Sequence, residues 1–473
     1  MYFNSLTFIL FFAAIVSVHY SPIPWRLKKT NLVLGSYVFY AAWNPPFVLL
    51  LLLSTVVDWH AAKRIDRAPD DRRRRIWLFI SLALNLGLLA VFKYSGFLLE
   101  NFNQLLESLG VSAQFADPGF ILPVGISFYT FQTLSYTLDV YYGKLKPGHS
   151  FLDYALYVSF FPQLVAGPIV RARHFLPQAA QQNRVSFAVF SLGLSLLIIG
   201  LFEKTVLADT FFGPLVDRCF EATADPDTLS AWLGGLFFSA QIFCDFAGYS
   251  LCAIGCAMCL GFDLPWNFRA PFAAVGFSDL WQRWHVSLSS WLRDYLYIPL
   301  GGNRHGSFRT YRNLLLTMLL GGLWHGAAWT FVIWGLLHGL FLVAERGLRR
   351  FGILQGLPSF GIGRVLIATL TFSLVTVAFV FFRAQSLDQA LRIVSAMLGI
   401  AGGQSPIPWD LWTQVVTATL GLMLLIQWCY RDALLSEVLQ RMSAFPRAVL
   451  LSFCLFMIVI AAGDSDAFIY FQF

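Results

Sequence analysis

Charge is what this sequence has least of. Of its 473 residues only 12% are Asp, Glu, Lys or Arg, against 57% apolar, and the mean hydropathy is +0.64. A soluble domain carries about 25% charged residues, and half that complement cannot cover the surface of a protein this large. A cytosolic enzyme and a disordered chain are both excluded on that ground. Cysteine is also sparse, seven in all and mostly inside apolar runs, which excludes a secreted disulfide scaffold. Cys252, Cys256 and Cys259 share one helical face and follow Cys244; they read as small packing residues rather than a metal site. No Walker loop, HExxH motif, internal repeat or low-complexity tract stands out, and the glycine-rich loops lack the strand–helix setting of a nucleotide fingerprint. The net charge is +7, but the bases fall in short clusters between apolar runs, the pattern of cytoplasmic loops and not of nucleic-acid binding.

What the sequence does have is apolar runs near the 20 residues that a bilayer-spanning helix needs. They begin with Tyr2–His19, Asn31–Trp43, Phe47–His60, Ile76–Lys93, Phe120–Tyr142, Phe151–Val170, Ser186–Leu207 and Leu229–Leu260. Past the middle come Leu314–Ala344, Val365–Phe382, Leu411–Tyr430 and Ala448–Ala462. The expected fold is an all-α polytopic integral membrane protein, one membrane-embedded domain over residues 1–473 with about 11 transmembrane helices. The first run lacks a basic leader and a small-residue cleavage signal and reads as a retained helix. Arg26, Lys28 and Lys29, then Lys63, Arg64, Arg67 and Arg72 to Arg75, place those connections inside, whereas the acidic stretches Tyr94–Pro118 and Asp209–Asp227 belong outside. Phe351–Gly363 and Gly399–Asp410 read as connectors.

Simple alternation fails in the centre. Residues 263–312 are polar and Arg-rich and should face the cytoplasm, yet the run after them ends at Glu345, Arg346, Arg349 and Arg350, also a cytoplasmic signature. As one helix, Leu314–Ala344 would be about 46 Å long, well beyond the ~30 Å hydrocarbon core. It should either break at Gly321-Gly322 and re-enter or form two short helices. Irregular backbone at that depth must be buried in protein or line a cavity.

Polar residues in such segments are functional candidates. In Ser278–Arg304 the residues Trp281, Trp284, Leu288, Trp291, Leu292 and Tyr295 recur at three- and four-residue spacing, the pattern of an amphipathic helix at a headgroup boundary, with His285 inside it. Periodicity leaves two readings of His285, a site residue or one more polar-face residue. In residues 313–345 His325 is surrounded by Leu, Gly, Ala and Trp. Burial there favours a neutral imidazole, the form that accepts a proton as a general base. The rival reading is a helix-packing histidine. His338, thirteen residues on, falls on a different face and reads as structural. Asp245 and Asp139, acids inside apolar runs, could each pair with a buried Arg, orient a histidine or join helices. Arg283 and Arg293 could hold phosphate groups through paired hydrogen bonds, although Arg is common at a headgroup boundary.

At WQRWHVSLSSWLRDYLYIPLGGNR and LLTMLLGGLWHGAAWTFVIWGLLHG the chain resembles the membrane-bound O-acyltransferase family, in its branch linked to bacterial exopolysaccharide O-acetylation. PVGISFYTFQTLSYTLDVYYGK, FFPQLVAGPIVR, the segment Phe243–Ser250 and the closing FIYFQF extend the resemblance over nearly the whole chain. The resemblance implies a multi-pass inner-membrane fold around a central funnel. The buried family histidine maps onto His325 and the second family position onto His285. Trp284, Arg283, Arg293, Asp294, Trp324 and Asp245 are then the expected substrate-facing set. It further implies acetyl-CoA as a cytoplasmic acyl donor, with no bound cofactor or metal, and periplasmic acetyltransferase partners that pass the acetyl to a polysaccharide. The same fold could carry D-alanyl, peptidoglycan or lipopolysaccharide acyl transfer. A transporter without a covalent step would call for paired broken helices in corresponding halves, and no such repeat is visible.

Overall fold

The computed structural model describes residues 1, 3–222, 225–352, 361–400 and 402–461. The closing FIYFQF motif and most of the Phe351–Gly363 connector therefore lie outside the described residues. The described chain is helical, and its one β-bridge joins Pro226 to Gln404. Six helical stretches are long and apolar enough to cross a membrane: Asp71–Ser108, Phe187–Phe220, Thr228–Cys259, Trp329–Arg350, Ile362–Arg383 and Leu411–Cys429. Leu6–Tyr20 and Ala444–Ile460 are shorter apolar helices. The protein is thus a multi-pass membrane protein. Thr228–Cys259 is almost wholly buried, 94% of its most apolar window, against 17% for Asp71–Ser108.

The chain gathers into two compact units. One comprises Met1–Leu194 with Cys252–Pro265. Its helices start on side-chain caps that satisfy amides left over in the first turn: Ser5 accepts from Phe8 N, Asp70 from Arg73 N, and Ser150 from Asp153 N. Phe8, Phe39 and Phe161 pack against one another, and Lys29 pairs with Asp153. Asp58, fully buried, accepts hydrogen bonds from Ser81 Oγ (2.6 Å) and Asn85 Nδ2 (2.8 Å), which joins two helices by polar contacts. The run Phe151–Val170 is not one span. It divides into Phe151–Ser159 and Phe161–Leu164, because Pro162 opens the second piece and the Gly167 backbone lies too close to Gln163 for a side chain.

The other unit comprises Ser195–Leu251 and the chain from Trp266 onward. In it the long run Leu314–Ala344 resolves into two substantial helices, Gly306–His325 and Trp329–Arg350, joined by an extended Gly326–Ala328 link. The expected break at Gly321-Gly322 does not occur. Those glycines lie within the first helix, and Gly322 faces the second: a Cβ there would overlap the Phe331 carbonyl oxygen and come within 3.0 Å of Gly335 Cα. Gly335 lies equally close to the Met318 carbonyl oxygen. The glycines therefore serve close helix approach rather than helix breaking. None of the seven cysteines forms a disulfide; Cys429 is exposed, and the others are buried.

This contact separates two glycines that sequence treats alike. Gly335→Ala should lower the thermal unfolding temperature of the purified protein, overpacking costing about 1–3 kcal/mol. Gly347→Ala, on the same helix with nothing within 4 Å, should be neutral or stabilising, since Ala is the better helix former by about 1 kcal/mol. Equal effects at the two positions would show that the close approach is not what Gly335 is for.

Candidate active site

Two local devices deliver the two imidazoles. The first is a helix end. Gly306–His325 stops at His325 because Gly326 (φ −158°, ψ 151°) and Ala328 (φ −150°, ψ 154°) are extended. A Cβ on Gly326 would overlap the Phe331 ring, so the link can turn this tightly only with glycine. The second device is a left-handed residue. Ser278–Arg304 is not the continuous amphipathic helix that its periodicity suggests. Phe277–Leu280 is a single turn, the chain then leaves helical geometry, and Val286–Leu292 begins a new helix with His285 as its N-cap at φ 41°, ψ 53°. A side chain rarely adopts that conformation, which costs about 1–3 kcal/mol and persists only where surrounding structure enforces it. Here Val286 N donates to Asn267 O (2.9 Å), Arg269 N to Arg283 O (3.0 Å), and Ser289 N to His285 O (2.9 Å). The cause is the pairing of 267–269 with 283–286, a contact distant in sequence.

The result buries His285, inside a segment that the sequence places at a headgroup boundary. His285 is 0% exposed and His325 3%. Their ring centroids are 6.5 Å apart. Trp324 stands 6.1 Å from His285 and 5.0 Å from His325; Trp334 and Phe382 face His325 edge-on at 5.0 and 5.3 Å, and Phe246 meets His285 at 4.6 Å. Burial pushes the His285 imidazole down to about 3, so it is neutral at physiological pH and carries one N–H donor and one acceptor nitrogen. A neutral imidazole in an aromatic enclosure suits proton abstraction or carbonyl polarisation in the absence of bulk water.

The remaining expected residues divide. Trp324 flanks both histidines. Trp284 is buried, but its ring turns to Phe268 (5.1 Å) and Phe379 (5.3 Å). Asp245 is fully buried against Lys204 Nζ (2.6 Å), which also holds Asp209 (2.7 Å). Arg283 has its guanidinium committed: Nε to Asp279 (2.7 Å), Nη1 to the Arg269 and Arg431 carbonyls, and Nη2 to Asp432 (3.1 Å). Arg293 pairs with its neighbour Asp294 at 2.8 Å and is itself largely exposed. His338 stacks on Trp334 (4.6 Å) and Trp281 (5.2 Å), with Trp334 between it and His325.

Sequence reasoning passed over Trp334, Phe382, Phe246 and Lys204. The three aromatics carry no local signal among so many others. Lys204 does: a base inside the apolar run Ser186–Leu207 is as costly as the acid that singled out Asp245. It sits in a stretch of π-helix, Phe202–Phe212, a wide turn often found at functional sites.

The fold is that of a multi-pass membrane protein, and within it two imidazoles lie buried side by side. The chain belongs to the membrane-bound O-acyltransferase family, whose sequence profile matches residues 142–381 and so contains both histidines. It is 41% identical to the "Probable alginate O-acetylase AlgI" of Azotobacter vinelandii over 84% of this chain and 78% of that one. The "Peptidoglycan O-acetyltransferase" of Helicobacter pylori is 39% identical over 79% of this chain and 74% of its own. The "Teichoic acid D-alanyltransferase" of Bacillus subtilis is 30% identical over 55% and 68%. The protein is an acyltransferase of the bacterial inner membrane.

The Lys204 cluster yields a prediction separable from chemistry. Lys204→Met leaves Asp209 and Asp245 without their shared cation, and breaking a buried pair from one side costs about 3–5 kcal/mol. Thermal unfolding should fall markedly for Lys204→Met and recover in part when Asp245→Asn is added. A wild-type midpoint for the single variant would remove the cluster from the stability of this unit.

Proposed function

We propose that the protein is a membrane O-acetyltransferase that takes acetyl from a cytoplasmic donor, acetyl-CoA. The acetyl becomes available across the inner membrane for O-acetylation of an exopolysaccharide such as alginate, with periplasmic acetyltransferases as partners. The observation that carries this reading is the enclosed His285–His325 pair inside the family-matched region. Names of the relatives 39–41% identical supply the acetyl group. His325 takes the proton from an acceptor hydroxyl as that oxygen attacks the thioester carbonyl. The C–S bond then breaks, and the proton leaves with the thiol. His285, neutral, donates its N–H to the carbonyl oxygen as negative charge develops there. At 6.5 Å between centroids, the hydroxyl oxygen can lie about 3 Å from a His325 nitrogen while the carbonyl oxygen lies about 3 Å from a His285 nitrogen. Trp324 and the aromatic wall keep water from competing for the thioester. Because His325 is 3% exposed, entry of either reactant requires these side chains to move. The D-alanyl relative supports a second reading, in which the same histidines move an aminoacyl group.

His325→Ala should cut acetyl transfer from radiolabelled acetyl-CoA by at least about 10²–10⁴-fold while membrane insertion is retained; near-normal transfer would remove His325 from the mechanism. Labelled aminoacyl carrier protein in the same assay decides between the acetyl and D-alanyl readings.

The pH profile tests His285 separately. A folded-state value of about 3, below the usual 6.5, keeps this ring neutral as pH falls from 8 to about 4. An acid limb above pH 4 therefore belongs to another group. His285→Asn should lower the plateau rate without moving that limb, and a limb that shifts with this substitution would assign the titration to His285.

A further inference from the structure

The committed guanidinium of Arg283 leaves open what would receive a phosphate, and a nearby group supplies an answer. Arg431 lies two residues beyond the helix Leu411–Cys429 and is 9% exposed. Its Nη2 donates to Asp279 Oδ2 (3.0 Å), while Nε stands 3.8 Å from Asp432, too far for a hydrogen bond. Arg431 Nε and Nη1 are buried and make no hydrogen bond. Four residues earlier, Gln427 is 7% exposed; its Oε1 accepts from Phe272 N (2.9 Å), and its Nε2 is likewise buried and unbonded. Three buried donor nitrogens thus come from one helix end. A buried donor that lacks an acceptor is costly, which makes these three nitrogens ready to receive one. The charges of Arg283 and Arg364 act on Arg431, and the carboxylates that offset them are Asp279 and Asp432.

We propose that Gln427 and Arg431 form a phosphate-binding site that holds the phosphate-ester end of the acyl donor. Oxygens that only accept, carried on a tetrahedral anion, match unbonded amide and guanidinium donors, and a guanidinium offers two parallel N–H groups to such an anion. The place is apt. Arg283, which donates to the Arg431 carbonyl, is two residues before His285. A donor anchored at Arg431 is therefore anchored beside the segment that carries the second imidazole. The source of the phosphate as donor rests on the acyl-transfer reading above; the site itself rests only on its donors and charge. A lipid headgroup presents the same phosphate chemistry.

The test uses the full chain in phosphatidylcholine nanodiscs, with coenzyme A and phosphate-free pantetheine as probes. Arg431→Gln and Gln427→Leu should weaken coenzyme A binding about 10- to 100-fold for loss of charged hydrogen bonds, and leave pantetheine binding unchanged. Arg431→Lys keeps the ion pair with Asp279 and should recover part of the loss, which separates binding from folding. A second arm adds phosphatidylglycerol. If that lipid raises the unfolding temperature of the wild type but not of Arg431→Gln, while coenzyme A affinity is equal in both, the site stands with a lipid phosphate in it and the donor assignment falls. If neither probe distinguishes the variants from wild type, the site is overturned. Loss of transfer in His325→Ala with unchanged effects at Arg431 keeps the two claims apart: acetyl-CoA that binds through Arg431 yet never transfers acetyl would sink the acyl-transfer reading alone.

Discussion

The backbone contact between Gly322 and Gly335 is the constraint from which the site follows. Two helices can approach so closely only where neither carries a side chain, and the extended Gly326–Ala328 link can join them only if they are that close. His325 is the last residue before this link. Its depth is thus fixed by where the first helix must end, and Trp334, one residue before Gly335, is carried onto its face. Widening the contact would move the imidazole and its wall together.

His285 answers to a different constraint. Its left-handed backbone is imposed by the pairing of 267–269 with 283–286, and it opens the helix Val286–Leu292 from an unusual angle. One imidazole is placed by helix packing and the other by backbone hydrogen bonding across a loop. The two rings meet among Trp324, Phe246 and Phe382, in a region with few ionic groups of its own. The ionic groups lie elsewhere, as the Lys204–Asp209–Asp245 cluster and the Asp279–Arg283–Arg431–Asp432 network.

Much of this was legible in the chain. Membrane class follows from the missing charge, and both histidines stood out as polar residues in costly surroundings. The apolar runs located Thr228–Cys259, Ile362–Arg383 and Leu411–Cys429 to within a few residues, because long uninterrupted runs have one solution in lipid. The break near His325 was misplaced because glycine serves two purposes that composition cannot distinguish, ending helices and letting them touch. The Ser278–Arg304 stretch was misread for a related reason: its three- and four-residue spacing is genuine, but pairing with Asn267 and Arg269 overrides it. Arg283 was legible as a cation and not as a saturated one, since Asp432 and the Arg431 carbonyl are about 150 residues away in sequence.

The distribution of thiols has a practical consequence. Cysteines at 219, 244, 252, 256, 259 and 454 are sealed within the protein, and Cys429 is left accessible at the end of its helix, two residues from Arg431. A maleimide fluorophore should therefore label the unmutated chain at essentially one position. It would report occupancy beside Arg431 in real time, with no need for a cysteine-free background.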